Sequence, residues 1–210
     1  LAIAVGNANA DPVTIGGITF PQGAASFADL VATYSPGANV GGTYADPTAA
    51  LGLPDYNSSA GIGAASLGVG GSLVLRFTDN SLTTSGDSTA DLHVFEVGSA
   101  VEFFNVAISR DGVNYLNLGT VRGQPTSLDI DSVAGVVAGG LYSWVRLTDV
   151  APNQSGFPFG EADIDAVGAI SSAAATPEPA TLSLVGIALL SLAAIYRRRG
   201  AQSSPILDVN

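Results

Sequence analysis

Hydrophobic and polar residues alternate in short runs along most of the chain between residues 13 and 170. Between Ser72 and Phe77, for example, every second residue is Leu or Phe. Such alternation places one face of a strand in a core and the other face outward. The Asp111-Gly112 pair between two apolar runs predicts a hairpin turn. Eight strands are predicted, at Val13–Phe20, Ser72–Phe77, Leu92–Val97, Phe103–Ser109, Tyr115–Gly119, Ser127–Ile130, Ser143–Thr148 and Ile164–Ile170.

Only Ala24–Tyr34 has apolar residues at helical spacing, and this pattern predicts a short helix. Residues 39–69 are rich in Gly, Ala, Pro and Asp, which favours loops. Many short strands separated by turns are typical of an all-β domain. We therefore expect residues 11–172 to form an antiparallel β-sandwich or jelly roll.

The two ends of the chain have patterns of their own. Residues 180–196 are uncharged and would span roughly 25 Å as a helix, which predicts a transmembrane helix. Arg197, Arg198 and Arg199 follow at once, as the cytoplasmic flank of such a helix should, and residues 197–210 then form a cytoplasmic tail. A buried core helix is the alternative, although it would normally show a polar stripe.

The first ten residues resemble the end of a secretory signal peptide. A short apolar run leads to Ala8-Asn9-Ala10, the small-residue pattern of a cleavage site, so cleavage is expected after Ala10. A disordered Ala/Gly-rich start is the alternative. A cleaved signal followed by a membrane anchor places residues 11–172 outside the cytoplasm, with residues 173–179 as a linker.

The linker ends in Pro177-Glu178-Pro179, directly before the apolar run and the arginine cluster. These three parts, in this order, resemble the PEP-CTERM sorting signal. The resemblance implies export from a Gram-negative bacterium that makes exopolysaccharide. It also implies processing by an exosortase, a membrane-embedded transpeptidase, so that an inner-membrane precursor becomes a surface or matrix protein. Family members usually end close to the arginines, whereas this chain continues through Gly200–Asn210.

Composition narrows the possible partners of the predicted domain. Between Asp11 and Ser172 there are four arginines, no lysine and 16 acids, a formal charge of −12. Such a domain repels phosphate backbones, so we expect no binding to nucleic acid. It attracts cations instead. The absence of cysteine excludes a disulfide framework and a thiolate metal site.

Several short blocks between residues 49 and 170 resemble bacterial surface proteins related to discoidin and to carbohydrate-binding modules. The resemblance implies a galactose-binding-like jelly roll. The blocks that carry it are Ala50–Asp55, Ser66–Phe77, Asp91–Glu96, Ile108–Asn114, Trp144–Asp149 and Ala162–Val167.

Acidic residues at alternating positions of the last strand suggest a cation site. Glu161, Asp163 and Asp165 would share one face of an unbroken strand, and three carboxylates with loop carbonyls suit Ca²⁺. Glu96 is expected to join them, and Asp91 or Asp79 are further candidates if the strands are neighbours. The alternative is a solvated acidic face. Asp129 and Asp131 repeat the spacing next to loops and are interpreted as turn residues.

A second candidate site is a sugar-binding surface, since exposed aromatic rings stack on sugar faces. Trp144 lies within a strand pattern and is expected in the core. The aromatic candidates in loop-like stretches are Tyr34, Tyr44, Tyr56, Phe157 and Phe159.

Catalysis has little support in the sequence. The single histidine, His93, lies within a predicted strand and is interpreted as structural, and no nucleophile elbow or zinc-protease motif occurs. We therefore expect a non-enzymatic structural or adhesive protein of the cell surface or exopolysaccharide matrix. A carbohydrate-binding module for the cell's own polysaccharide is the first alternative. A glycoside hydrolase that uses paired carboxylates is the second.

Overall fold

The predicted alternation corresponds to four antiparallel sheets in the computed structural model, which describes residues 11–98, 101–150 and 161–174. No α-helix occurs in these ranges, where three 3-10 helices lie at Gly23–Ser26, Gly42–Ala45 and Pro47–Ala50. The strands are β1 (Val13–Ile15), β2 (Ile18–Phe20), β3 (Leu30–Ser35), β4 (Ala65–Ser66), β5 (Ser72–Arg76), β6 (Asn80–Leu82), β7 (Leu92–Val97), β8 (Phe103–Ser109), β9 (Tyr115–Arg122), β10 (Thr126–Leu128), β11 (Trp144–Asp149), β12 (Asp163–Ala169) and β13 (Ser172–Ala174).

Two larger sheets share one hydrophobic core. One has the order β3-β5-β11-β8-β9 and the other the order β10-β7-β12-β4. Alternate residues of both sheets enter the core, among them Leu75, Ile108 and Val145 from the first and Val94 and Val167 from the second. The expected all-β, antiparallel fold is confirmed, and the shared core is consistent with a β-sandwich.

The first predicted strand, Val13–Phe20, is instead a hairpin. Gly16 and Gly17 both have positive φ angles (58° and 82°), the backbone conformation of a tight two-residue turn, and the chain reverses there to pair β1 with β2. Phe20 then packs with Phe27 and Phe95 in a second apolar cluster on the outward side of the four-stranded sheet. The hairpin thus covers that side of the sheet.

The prediction of a helix at Ala24–Tyr34 is wrong, and the reason is a β-bulge. Val31 pairs with Leu75 and Thr33 with Val74, which leaves Ala32 as an extra residue in β3. The extra residue turns Val31 and Tyr34, three positions apart, to the same core side. A bulged strand therefore produced the spacing that is typical of a helix.

The predicted terminal segments lie outside the described residues. This applies to residues 1–10, to the Pro-Glu-Pro motif and to the apolar run at 180–196. Among the residues that the structure describes, no helix has the length and apolar character needed to cross a membrane. β13 pairs with β6 and so extends the paired structure to Ala174, past residue 172, where the domain was predicted to end.

Candidate functional site

Five acidic side chains come together where β7, β11 and β12 begin or end. We call Glu96, Glu102, Asp149, Glu161 and Asp163 the acidic cluster. Antiparallel pairing of β12 with β7 places Asp163 opposite Val97 and next to Glu96, and charge interactions link each member to at least one other. Four of the five are almost fully buried, and Asp163 is partly buried. The sequence predicted three of these residues, whereas Glu102 and Asp149 are additions from the structure.

Glu96 is the most strongly perturbed member of the cluster. It is 2% exposed, and the groups that reach its carboxyl are the carboxyl of Glu102 and the side-chain amide of Gln124. Burial, followed by Glu102, raises the pKa of Glu96 to about 9, and the Gln124 hydrogen bond lowers it only in part. A buried carboxylate with so few donors is costly when ionised, so a proton or a cation stabilises Glu96 at neutral pH.

Two other members show the same imbalance. Burial raises the pKa of Asp163 to about 6, against a hydrogen bond from Ser66, and the charges of Glu102 and Glu161 raise it further. Burial also raises the pKa of Asp149, against hydrogen bonds from the backbone amides of Gly70 (2.9 Å to Oδ2), Ala162 and Val150, and the charge of Glu161 raises it further. Both carboxyls are thus shifted towards the protonated form although each accepts hydrogen bonds.

Asp165, the fourth predicted ligand, lies in a different environment. A bulge in β12 between Ile164 and Ala166 interrupts the alternation on which the shared face of Asp163 and Asp165 depended. The Oδ1 atom of Asp165 accepts a hydrogen bond from the Asp55 amide at 2.9 Å. Burial raises its pKa to about 6 despite that bond. Through the hydrogen bond, Asp165 connects the loop at residue 55 to β12.

The predicted sugar-binding residues Tyr34 and Tyr44 lie beside Asp163 of the acidic cluster, and Tyr56 is joined to Tyr44. A cavity of about 240 Å³ is lined by Tyr44 and Asp163, and also by Asn39, Val40, Gly41, Ser66 and Glu161. Tyr44 and Tyr56 are joined through their hydroxyls at 3.1 Å, and Tyr34 donates a hydrogen bond to the Ser66 carbonyl at 2.7 Å. The structure thus brings Glu161 and Asp163 of the predicted acids to one region with the predicted tyrosines.

Asn39 contributes both polarity and an unusual backbone at this cavity. Its φ angle is +72°, a conformation that non-glycine residues seldom adopt. Its side-chain amide donates to Glu161 Oε1 at 3.4 Å. Phe157 and Phe159, the other predicted aromatics, lie outside the described residues, as do Pro177, Glu178, Pro179 and Arg197 to Arg199 of the predicted sorting motif.

A second group of carboxylates lies at the opposite end of β7. Carboxylate oxygens of Asp91, Asp129 and Asp131 come within 4.8 Å of one another, close enough to hold a metal ion. Asp91 accepts hydrogen bonds from the amides of Ser85 (2.7 Å) and Ile130 (2.9 Å), so its oxygens already have partners. Asp131 likewise accepts from loop amides, in agreement with its interpretation as a turn residue.

The outward side of the five-stranded sheet carries a group that the sequence analysis missed. Trp144, expected in the core, is partly exposed there, and the Arg76 guanidinium lies 4.6 Å from its ring centroid. The next outward residue of β11, Arg146, lies 4.3 Å from the ring centroid of Tyr115. The alternation along Trp144–Thr148 could have revealed this group. Val145 and Leu147 are fully buried, so the alternate residues of the strand must face outward.

His93 has the structural role that was expected. It is 3% exposed and contacts the Phe95 ring edge-on at 4.5 Å, and burial lowers its pKa to about 4. Its Nδ1 atom is 2.7 Å from the Ser127 hydroxyl across the β7–β10 pair. A neutral imidazole in this position stabilises the packing around Phe95.

Comparison with known proteins gave no matching family model and no matching curated sequence.

Proposed function

We propose that this chain is an exported structural or adhesive protein of the surface or exopolysaccharide matrix of a Gram-negative bacterium, sorted by an exosortase. The observation that carries the proposal is the order of Pro177-Glu178-Pro179, the apolar run at 180–196 and Arg197 to Arg199. An apolar helix with a cationic flank halts a chain in the membrane. The preceding motif then lies at the outer face, within reach of a membrane transpeptidase.

The described domain supports this proposal by its composition and architecture. It is an all-β domain that carries an excess of acids and no cysteine, and it builds its core without disulfides. Its two larger antiparallel sheets are proposed to form a galactose-binding-like jelly roll, in line with the sequence blocks that resemble discoidin-related surface proteins. Such sandwiches commonly serve as binding or spacer domains outside the cell.

Calcium is the proposed cofactor of this domain. The acidic cluster gathers five carboxylates, whose charges raise pKa values within the cluster. Ca²⁺ accepts six to eight oxygen ligands and would offset the mutual repulsion of these groups. Glu96, Glu161 and Asp163 are the proposed protein ligands from the predicted set, whereas Asp165 already bonds to a backbone amide. Among the described residues only Asp91, Asp129 and Asp131 already hold carboxylate oxygens within 4.8 Å of one another, so Ca²⁺ would have to draw the acidic cluster together on binding.

The sorting proposal is tested by following the mass of the full chain in a Gram-negative host with and without its exosortase gene. Loss of the C-terminal tail only in the host with exosortase is expected. Glu178→Gln should slow tail removal, and Asp208→Asn, a matched change of a tail acid outside the motif, should not. An intact tail in both hosts, or equal removal in both, would refute the proposal.

Carbohydrate binding is the alternative function, and one observation favours it. Partly exposed aromatic side chains paired with arginines lie on the outward side of the five-stranded sheet, away from the hydrophobic core. Aromatic rings with adjacent polar groups are the usual means by which proteins hold sugars. A matrix protein that binds polysaccharide would combine both functions.

A further inference from the structure

We propose that the outward side of the five-stranded sheet binds an acidic polysaccharide, with arginines contacting its carboxylates and aromatic rings stacking on its sugars. This inference rests on the proposed function, which places the domain where such a polysaccharide occurs. We call the surface the arginine face. It consists of outward residues of β5, β8, β9 and β11, namely Arg76, Phe103, Asn105, Ala107, Tyr115, Asn117, Thr120, Arg122, Trp144, Arg146 and Thr148.

The distribution of charge is the first argument. The region from Asp11 to Ser172 has four arginines against 16 acids, yet three of the four arginines lie on this face. The five strands of the sheet contain a single acid, Asp149. It pairs with the core residue Phe104 and is 6% exposed, so it points inward. The outward residues of these strands therefore carry only positive charge, although the charge of Asp111, in the turn after β8, reaches Tyr115.

The arginines of this face differ in how far they are open to a ligand. Arg122 is exposed and Arg76 and Arg146 are partly exposed, but the Nε atom of Arg76 is buried and that of Arg122 donates to the Val101 carbonyl at 3.4 Å. Each is held over a ring, with Arg122 at 5.1 Å from the Phe103 centroid. A guanidinium that stacks on an aromatic ring keeps in-plane N–H donors that fit a carboxylate in bidentate geometry. The rings thus orient the guanidinium groups on this face of the sheet.

Small and polar side chains shape the centre of the face. Ala107 on β8 lies opposite Arg146, and because it is small the arginine can extend across β8 to Tyr115 on β9. A depression of about 270 Å³ results, lined by Asn105, Ala107, Asn117, Arg146 and Thr148. Amide and hydroxyl groups beside exposed rings suit the hydroxyls and the flat faces of a sugar that lies along the sheet.

The overall negative charge of the domain does not prevent this binding. The acidic cluster belongs to the strand ends, and Asp149 points to the inward side of the sheet. At physiological ionic strength the Debye length is about 8 Å, so charges farther away across the protein are largely screened. The electrostatic energy of a ligand carboxylate is then set mainly by the arginines nearest to it.

A second copy of this chain is the other occupant that the face could take, since the rest of the domain is acidic. The aromatic rings favour the polysaccharide, because ring stacking suits sugar faces more than scattered carboxylates. The experiment below distinguishes the two.

The full chain contains one tryptophan, Trp144, so tryptophan emission, excited selectively over the six tyrosines, reports on this face alone. The fluorescence is followed while polygalacturonate, an acidic polysaccharide, or dextran, a neutral one, is added. EDTA is present throughout, so that binding through Ca²⁺ does not contribute. Polygalacturonate should change the emission in a saturable manner and bind more weakly as NaCl rises, and dextran should not.

Arg146→Gln removes one charge from the face and should weaken polygalacturonate binding by roughly 10- to 100-fold. Arg122→Gln, near the edge of the sheet, is a second variant in case the first does not fold, which thermal unfolding reveals. Arg110→Gln is the matched control, because this arginine lies in the turn after β8, outside the five strands, and should leave affinity unchanged. Arg146→Lys keeps the charge and should retain part of the affinity.

Three results would overturn the inference. These are equal affinities of the Arg146→Gln and Arg110→Gln variants, binding that requires Ca²⁺, and a fluorescence change that instead follows self-association in sedimentation. A chain that loses its tail to exosortase but does not bind polygalacturonate would refute this inference and leave the proposed function standing. A chain that binds polygalacturonate but never loses its tail to exosortase would refute the proposed function and leave this inference standing.

Discussion

Replacing Glu96 with Gln should remove most of the pH dependence of stability between about pH 6.5 and 8.5 when divalent cations are chelated. Burial holds the pKa of Glu96 at about 9 in the folded protein, whereas its ordinary value is 4.5. In that interval the folded state keeps the proton and the unfolded state has lost it. Because the folded state binds more protons, stability must fall as pH rises through the interval.

The size of the effect follows from the same linkage. Each pH unit between the two pKa values costs about 1.4 kcal/mol, so two units cost about 3 kcal/mol. In a domain of this size that corresponds to a decrease in Tm of roughly 5–10 °C. Asp163 and Asp165, whose pKa values are raised to about 6, titrate mainly below the interval. Gln has the shape of protonated Glu and does not titrate.

The assay is thermal unfolding of the wild type and of Glu96→Gln in EDTA across this pH interval. Asp87→Asn is the matched control, because Asp87 is exposed and hydrogen bonds lower its pKa, so it stays ionised throughout. The control should follow the wild type. Equal slopes for Glu96→Gln and the wild type would show that Glu96 is solvated in the folded protein, and the argument for the acidic cluster would fail.

Three other predictions can be tested on the same protein. Excess Ca²⁺ should raise the Tm more at about pH 8 than at about pH 5, because carboxylates bind it when ionised, and Asp163→Asn should remove most of the gain; an unchanged Tm in Ca²⁺ and EDTA would contradict the proposed site. Asp91→Asn should cost about 1–3 kcal/mol in urea unfolding, because both carboxylate oxygens accept buried amide hydrogen bonds. Gly168→Ala would place a methyl group 2.5 Å from Phe20 and should cost about 1–3 kcal/mol, whereas Gly41→Ala, with no atom within 4 Å, should stay within about 0.5 kcal/mol.

The strands without an inserted residue were predictable from the sequence. Leu92–Val97 and Phe103–Ser109 have the predicted bounds and are buried at most positions, because short runs rich in apolar and β-branched residues favour buried strands. The bulged strands were less predictable. One extra residue in β3 imitated a helix, and one in β12 separated Asp163 from Asp165, and both depend on the partner strand.

The residues of the candidate sites also divide into those that local sequence spacing reveals and those that only strand pairing brings together. Glu161 and Asp163 could be found from their spacing, whereas Glu102 and Asp149 join them only through the pairing of distant strands. The arginine face was accessible in principle, since Trp144 and Arg146 alternate with buried residues. Assigning Trp144 to the core from its residue type alone concealed it, because a large aromatic ring is also suited to an outward position beside a cation.

The bulges at both borders of the five-stranded sheet have a consequence for crowding. The border strands are β3 and β9, and each carries an extra residue, Ala32 and Leu118 respectively. Regular free strands invite pairing with a neighbouring molecule, and a bulge disrupts the ladder of amide and carbonyl groups that such pairing needs. At high concentration, copies of this domain would resist fusing into continuous sheets and would remain separate units.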